Sequence, residues 1–234
     1  MRKILLGFSF LLILLQAQIS DTKQLIVVTS KNWSTSDGIL QRYEKKGSAW
    51  HKVGERISVK LGRNGLGWGR GLHQIPEDAK IIKKEGDGKA PAGIFTLKQA
   101  FGYRPFAVKY PYKVYRETDH CVDDVHSKFY NKIVDSTKIK IDYTSKEHMK
   151  FPKNYYRYGI AVNHNHFDEK GAVPGAGSCI FLHIKNIPTA GCTVMNEDEI
   201  KKIIQWLDAE KNPLLLQGTK HVVKKLGKDL KLFP

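Results

Sequence analysis

Residues 177–195, GSCIFLHIKNIPTAGCTVM, combine a short apolar strand, a histidine, a turn-forming loop and a cysteine. Residues 180–184 are an apolar run of strand length that is interrupted only by His183. The loop of residues 185–191 is short enough to fold back and bring Cys192 near His183. A thiol beside an imidazole is the minimum for a cysteine nucleophile, because the thiolate reacts and the histidine generates or stabilises it.

The residues that flank Cys192 favour this interpretation. Gly191 leaves the backbone unobstructed, so amide N–H groups at the turn can point at a developing oxyanion. Asn196 and Glu199 have the spacing of a capping box, which predicts a helix directly after the turn. The competing interpretation is a small buried cysteine beside a core histidine, which needs no function.

At these residues the sequence resembles the L,D-transpeptidase catalytic-domain family (YkuD-type), which remodels bacterial peptidoglycan. The family motif is a histidine on a strand followed by a Ser/Thr-x-Gly-Cys turn, and His183 and Thr-Ala-Gly-Cys at residues 189–192 match it. The resemblance covers most of the chain and is closest to the murein-remodelling branch that carries GDGKAPAGIF (residues 86–95) and CVDD (residues 121–124). It implies a mainly β fold, an L,D-transpeptidase-like β-sandwich or open barrel with a few peripheral helices.

The residues themselves also predict a β fold. Gln24–Ser30 (QLIVVTS) is rich in β-branched residues, and residues 38–45 alternate apolar with polar side chains, as do residues 57–61. This succession is typical of an antiparallel meander rather than of an α/β repeat. Residues 214–217 predict a final strand, and the lysine-rich residues 220–234 a peripheral tail.

The first residues predict export. A basic start, an apolar stretch at residues 4–15 and the small residue Ala17 are typical of a secretory signal peptide. The apolar stretch is shorter than the roughly 20 residues of a spanning helix, so we expect cleavage after Ala17 and no integral membrane segment afterwards. The prediction is a signal peptide at residues 1–17 and one catalytic domain at residues 18–234, with a basic C-terminal tail, in the periplasm, secreted or at the cell wall.

The charge indicates an anionic partner. The formal net charge is +16, and loss of Arg2 and Lys3 with the signal peptide lowers it to +14. Nucleic acid, acidic lipid headgroups or an acidic polymer would suit this charge, and export argues against nucleic acid. Peptidoglycan stem peptides carry free carboxylates and are the predicted partner. The alternative is that the charge only aids solubility, and nothing in the sequence indicates an oligomeric state.

Three cysteines in an oxidising compartment leave one free thiol. A bridge between Cys121 and Cys179 would keep Cys192 reduced. Alternatively, Cys179 lies on the same strand face as His183 and lines the site. The sequence leaves both arrangements open.

Four further side chains are candidates for substrate binding: Lys89, Asp123, Asp124 and His164. Lys89 either meets a substrate carboxylate or is a solvated loop lysine. Asp123 and Asp124 either bind a metal or a substrate ammonium group, or cap the turn that follows them. The resemblance implies that these two acids belong to a lid or cleft region.

His164 begins an H-x-H pattern with His166, followed by Asp168. Two imidazoles and a carboxylate can form an open zinc site, although the H-E-x-x-H spacing of zinc peptidases is missing. The favoured interpretation is a strand end with polar groups that face the cleft, and we expect no metal and no cofactor.

The sequence therefore predicts cysteine-dependent acyl transfer on peptidoglycan stem peptides, an L,D-transpeptidase that crosslinks stems or attaches them to the wall. Cys192 is the predicted nucleophile, His183 the base, and Gly191 the source of an oxyanion donor. An L,D-carboxypeptidase that trims tetrapeptide stems would use the same residues. A zinc-dependent cell-wall peptidase and a non-catalytic wall-binding module are further alternatives.

Overall fold

The structure is a computed structural model that describes residues 19–166 and 171–232. The predicted signal peptide and Asp168 lie outside the described residues. Within the described part of the chain, no helix is long and apolar enough to cross a membrane. The elements that lie wholly within these residues are β1 (Gln24–Ser30), β2 (Asp37–Lys46), β3 (Ala49–Lys60), β4 (Leu66–Trp68), β5 (Ala90–Gly102), β6 (Tyr112–Val114), β7 (Asp119–Val122), β8 (Ile133–Asp135), β9 (Lys146–His148), β10 (Tyr158–Val162), β11 (Phe181–Ile184), β12 (Thr193–Met195), α1 (Glu197–Trp206), β13 (Leu214–Thr219) and α2 (Lys220–Gly227).

Eight strands form a closed barrel in the order β10, β11, β12, β3, β2, β1, β13 and β5. β1, β2 and β3 are the predicted antiparallel meander. β1 also pairs in parallel with β13, so an early strand and a late strand of the sequence are neighbours in the barrel. The mainly β prediction is confirmed, and antiparallel pairing of β5 with β10 closes the barrel.

β1 is apolar without alternation because both of its faces are buried. Ile26 and Val28 belong to the hydrophobic cluster that also contains the apolar face of α1. Leu25 and Val27, on the opposite face, belong to the cluster that contains α2. Each α-helix therefore covers apolar surface of the barrel.

The prediction of a peripheral tail after Thr219 is wrong for Lys220–Gly227, which is the helix α2. The Thr219 hydroxyl caps it by accepting the Val222 N–H at 3.3 Å. Val222, Val223 and Leu226 are buried against the barrel, while the helix lysines are exposed. Apolar residues at i, i+1 and i+4 give a short helix one buried face, and the lysine content hid this pattern.

α1 follows β12 directly and begins after Asn196, the predicted N-cap. Within the described chain, however, the Asn196 side chain makes no capping hydrogen bond. The first turn carries three acidic residues, which interact favourably with the positive end of the helix dipole. Ile200, Ile203 and Ile204 form the buried apolar face of α1, which Leu207 extends beyond the helix end.

A separate antiparallel sheet of three strands, in the order β8, β7 and β9, lies between β6 and β10 in the sequence. A disulfide between Cys121 of β7 and Cys179, just before β11, ties this sheet to the barrel with a Cα separation of 6.0 Å. Cys192 is the free cysteine. Of the two arrangements that the sequence left open, the structure has the bridge, and the sheet is therefore held beside the strand that carries His183.

Candidate active site

The parallel pairing of β11 with β12 places Cys192 and His183 on one face of the sheet. His183 is opposite Val194 and Leu182 is opposite Thr193, so Cys192 aligns with the residue before Leu182. Because side chains alternate between faces along each strand, the Cys192 and His183 side chains point to the same side. The loop of residues 185–191 therefore leads back along the sheet, and Cys192 lies at the start of the strand next to β11.

Both side chains line one cavity of about 270 Å³. Its wall also includes Lys83, Glu147 and Tyr156, which come from three distant parts of the sequence. Cys192 is only 6% exposed and His183 only 4%. The cavity thus gives the thiol and the imidazole a shared space within an otherwise buried region.

The sulfur of Cys192 is held by two backbone groups. It accepts the Phe181 N–H at 3.3 Å and its thiol donates to the Cys179 carbonyl at 3.5 Å. Burial raises the pKa of the Cys192 thiol well above its ordinary value, and the nearby Glu147 carboxylate raises that pKa further. The Phe181 N–H, Lys83 and Lys185 act in the opposite direction with smaller effect. At neutral pH the sulfur is therefore a thiol, and a base is needed to generate the thiolate.

The His183 ring is oriented by backbone carbonyl groups. Its Nδ1 lies 3.2 Å from the Ile184 carbonyl oxygen, and donation to that oxygen makes Nε2 the basic nitrogen. Burial lowers the pKa of His183 to about 4, so the imidazole is neutral at neutral pH. The resting pair is a neutral thiol and a neutral imidazole, an arrangement suited to general-base catalysis.

The loop before Cys192 is fixed by its threonine. Thr189 Oγ1 donates to the Cys192 carbonyl at 2.6 Å and accepts the Gly191 N–H at 3.1 Å. The Thr189 backbone also bonds to residues 61 and 63, which anchors the loop to the segment after β3. The predicted oxyanion donor at Gly191 is therefore not confirmed, since that N–H already has a partner within the loop.

Lys83 supplies a buried positive charge that the sequence did not reveal. Its ammonium group donates to Asp87 Oδ1 at 2.7 Å and to the Lys84 carbonyl at 2.6 Å. Asp87 also accepts the backbone N–H groups of Lys84 and Lys89, so the GDGK turn is built around this carboxylate. Lys89 itself points elsewhere, with Nζ on the Asn64 carbonyl at 2.7 Å. Lys83, rather than the predicted Lys89, lines the cavity.

The two adjacent acids have different surroundings. Asp124 caps a turn, accepting the Thr144 N–H at 2.8 Å, the Thr144 hydroxyl at 2.9 Å and the His126 N–H at 3.0 Å. These bonds lower the pKa of Asp124 to about 2. Asp123 lines the cavity, and its buried Oδ1 has no hydrogen-bond partner among the described residues. The alternative of a turn cap is correct for Asp124, and Asp123 alone of the pair faces the cavity.

His164 is buried away from the cavity, so its predicted contact with substrate is wrong. Its Nδ1 accepts the Arg70 N–H at 3.3 Å and its Nε2 donates to the Ala176 carbonyl at 3.0 Å. Burial lowers its pKa to about 3. His166 bonds Lys98 through Nδ1 at 2.9 Å. Across residues 19–166 and 171–232, no three His, Cys, Asp or Glu side chains are grouped as metal ligands.

Glu147 and Tyr156 are site residues that sequence reasoning missed. The Tyr156 hydroxyl donates to Glu147 Oε2, and both side chains line the cavity. Glu147 lies on β9 opposite Cys121, and Tyr156 ends a 3₁₀ turn just before β10. Neither belongs to a recognisable local pattern. The CVDD segment gave the only indirect indication, because its strand β7 pairs with β9 and this pairing places Glu147 beside the site.

No protein-family model and no curated protein matches the chain. A solved structure, that of the helical cell shape determining protein Pgp2 from Campylobacter jejuni, is similar with a TM-score of 0.44 and 13% sequence identity. The similarity covers 89% of this chain and 55% of that protein, so this chain spans about half of its length.

Proposed function

We propose that this chain is a cysteine-dependent acyltransferase that acts on peptidoglycan stem peptides, an L,D-transpeptidase. The observation that carries the proposal is the pair of Cys192 and His183 on one face of neighbouring strands, lining one cavity. The match of residues 183–192 to the L,D-transpeptidase motif supports the choice of substrate. The net charge of the chain suits an acidic wall polymer.

In the proposed reaction, Cys192 Sγ attacks the carbonyl carbon at the L-centre of the diamino acid, just before a terminal D-alanine. His183 Nε2 takes the thiol proton as the C–S bond forms, because both groups are neutral before attack. The backbone N–H of Cys192 is the proposed oxyanion donor in place of that of Gly191, and one such donor contributes about 3 kcal/mol to the transition state. The C–N bond then breaks, and the imidazolium returns the proton to the departing D-alanine amine.

The thioester left on Cys192 has two fates. Attack by an amine of a second stem gives a crosslink, with His183 accepting the proton of that amine. Attack by water gives a trimmed stem and makes the protein an L,D-carboxypeptidase. Both outcomes use the same nucleophile and base, so the acceptor that reaches the thioester decides between them.

Muropeptide analysis tests the proposal. Cells that produce the wild-type chain, Cys192→Ala or the control Lys224→Ala are compared after digestion of their peptidoglycan. Lys224 is exposed on α2, outside the cavity. Transpeptidation predicts that crosslinked dimers fall with Cys192→Ala and are unchanged with Lys224→Ala.

The other outcomes separate the alternatives. Accumulation of tetrapeptides without a change in dimers would identify a carboxypeptidase. Identical muropeptides from wild type and Cys192→Ala would refute the enzymatic proposal, and a retained cellular role would then favour a wall-binding module. Inactivation by a chelator but not by a thiol alkylating reagent would favour a zinc peptidase.

A further inference from the structure

Tyr156 and Glu147 form one connected unit beside His183, and the proposed reaction uses neither of them. The Tyr156 ring is buried and packs edge-on against His183, with ring centroids 4.8 Å apart. It packs in the same way on Phe181, at 5.4 Å. The phenol hydroxyl donates to the Glu147 carboxylate. Tyr156 thus contacts the His183 imidazole with its ring and the Glu147 carboxylate with its hydroxyl group.

The Glu147 carboxylate is itself fixed in place. β9 pairs with β7 so that Glu147 lies opposite Cys121, and Cys121 is disulfide-bonded to Cys179. The Cys179 carbonyl accepts the thiol of Cys192. Covalent and hydrogen-bonded links therefore run from the backbone at Glu147 to the sulfur, and the Tyr156 hydroxyl holds the carboxylate itself.

We propose that Glu147 is a positioning residue of this site: through Tyr156 it holds the His183 ring, and its negative charge adds to burial in opposing ionisation of the Cys192 thiol. A carboxylate and a thiolate that share a poorly solvated cavity repel each other, so the charge of Glu147 opposes ionisation of the sulfur. This proposal rests on the proposed function only in taking Cys192 as the nucleophile.

The other charged groups around Glu147 leave its own charge adjustable. Burial raises the pKa of Glu147 to about 7, the Tyr156 hydrogen bond lowers it, and Asp123 and Glu85 raise it. Lys185 opposes the two acids, and Lys83 lies on the Cys192 side of the same cavity. The carboxyl group therefore changes charge near neutral pH, and the thiol responds to that change.

Glu147→Gln tests the effect of the charge, because glutamine keeps an oxygen that can accept from Tyr156. The rate of Cys192 alkylation by iodoacetamide is measured on the folded chain from pH 6 to pH 10, with the disulfide intact. We expect the apparent thiol pKa to fall by about one unit where Glu147 is ionised in the wild type, which makes alkylation roughly tenfold faster from about pH 8 up to the thiol pKa. Near pH 6, where Glu147 is protonated, the two rates should converge. Glu44→Gln is the matched control, since Glu44 is a partly buried acid paired with Lys211 that does not line the cavity. It should leave the profile unchanged.

Tyr156→Phe and Glu147→Ala test the positioning. The phenylalanine variant keeps the ring but loses the hydrogen bond that lowers the pKa of Glu147. Its alkylation profile should therefore approach that of Glu147→Gln near neutral pH and follow the wild type at higher pH, where Glu147 is ionised. The ring resonances of His183, assigned by their loss in His183→Ala, should broaden or shift in Glu147→Ala and be restored in Glu147→Gln.

Each measurement has a result that overturns the proposal. If the Glu147→Gln profile superimposes on the wild type, the charge does not control the thiol. If the His183 resonances are the same in Glu147→Ala and wild type, the pair does not position the imidazole. These measurements need no substrate, so they give an answer even if muropeptide analysis refutes the acyl transfer.

Discussion

The disulfide between Cys121 and Cys179 should be a major source of stability, and replacing both cysteines by alanine removes it. The bridge joins the three-stranded sheet to the barrel next to β11. Both cysteines are buried, at 1% and 4% exposure, so alanine avoids placing an unpaired hydroxyl in the core.

The expected loss follows from the loop that the bridge closes. The two cysteines are 58 residues apart in the sequence, and closing a loop of that length removes unfolded-state entropy equivalent to about 4 kcal/mol at 25 °C. Deletion of the two sulfur atoms adds a smaller packing loss. Cys192→Ala measures that smaller loss separately, because it deletes one buried sulfur without touching the bridge, and about 1 kcal/mol is expected for it.

Urea denaturation of the oxidised wild type, the double alanine variant and Cys192→Ala provides the three free energies of unfolding. The double variant should lose several kcal/mol more than twice the loss of Cys192→Ala. If it loses no more than that, the bridge contributes nothing beyond the packing of its side chains, and the entropic argument fails. The slope of the unfolding free energy against urea concentration reports how much surface becomes exposed on unfolding. Without the bridge the unfolded chain is free to expand further, so a larger slope in the double variant would be consistent with release of the loop.

Two further substitutions test the helix α2 and the acidic turn. Leu226→Ala should destabilise the fold by about 2–5 kcal/mol because it removes a buried side chain. Lys225→Ala, at the exposed neighbouring residue, should change the free energy of unfolding by less than about 0.5 kcal/mol. Equal small effects of the two substitutions in thermal melts would show that α2 is peripheral after all. Asp124 has a pKa of about 2 in the folded chain, below its ordinary 3.8, because Thr144 and His126 donate to it. Its stabilising contribution is therefore present above about pH 4 and is lost as the pH falls towards 2. The stability difference between wild type and Asp124→Asn should shrink over that range, and a constant difference from pH 6 to pH 2 would contradict the assignment.

The strands of the barrel were predictable where the sequence carries a local pattern. Gln24–Ser30 is β1 with the predicted bounds, because a continuous apolar run suits a strand buried on both faces. The closure of the barrel was not predictable, because it depends on the pairing of β5 with β10, two strands more than 50 residues apart in the sequence. α2 was missed although its apolar spacing was visible, because composition was given more weight than periodicity.

The site likewise contains residues that a local sequence pattern predicts and residues that only the tertiary structure brings together. Cys192 and His183 were predictable because they are nine residues apart, and a short loop can join adjacent strands over that distance. The prediction that His164 contacts substrate was wrong, because the sequence pattern does not show that both of its ring nitrogens already bond to the backbone.

Glu147 and Tyr156 lie 45 and 36 residues before Cys192, and only tertiary structure brings them to it. Their place in the cavity explains why the sequence could not show whether the resting sulfur is a thiol or a thiolate, since burial and Glu147 together raise the pKa of Cys192. The sequence predicts a nucleophile, but the charge and burial that set the ionisation of that thiol come from elsewhere in the chain. A prediction from the motif alone therefore proposes which atoms react and does not give their protonation state.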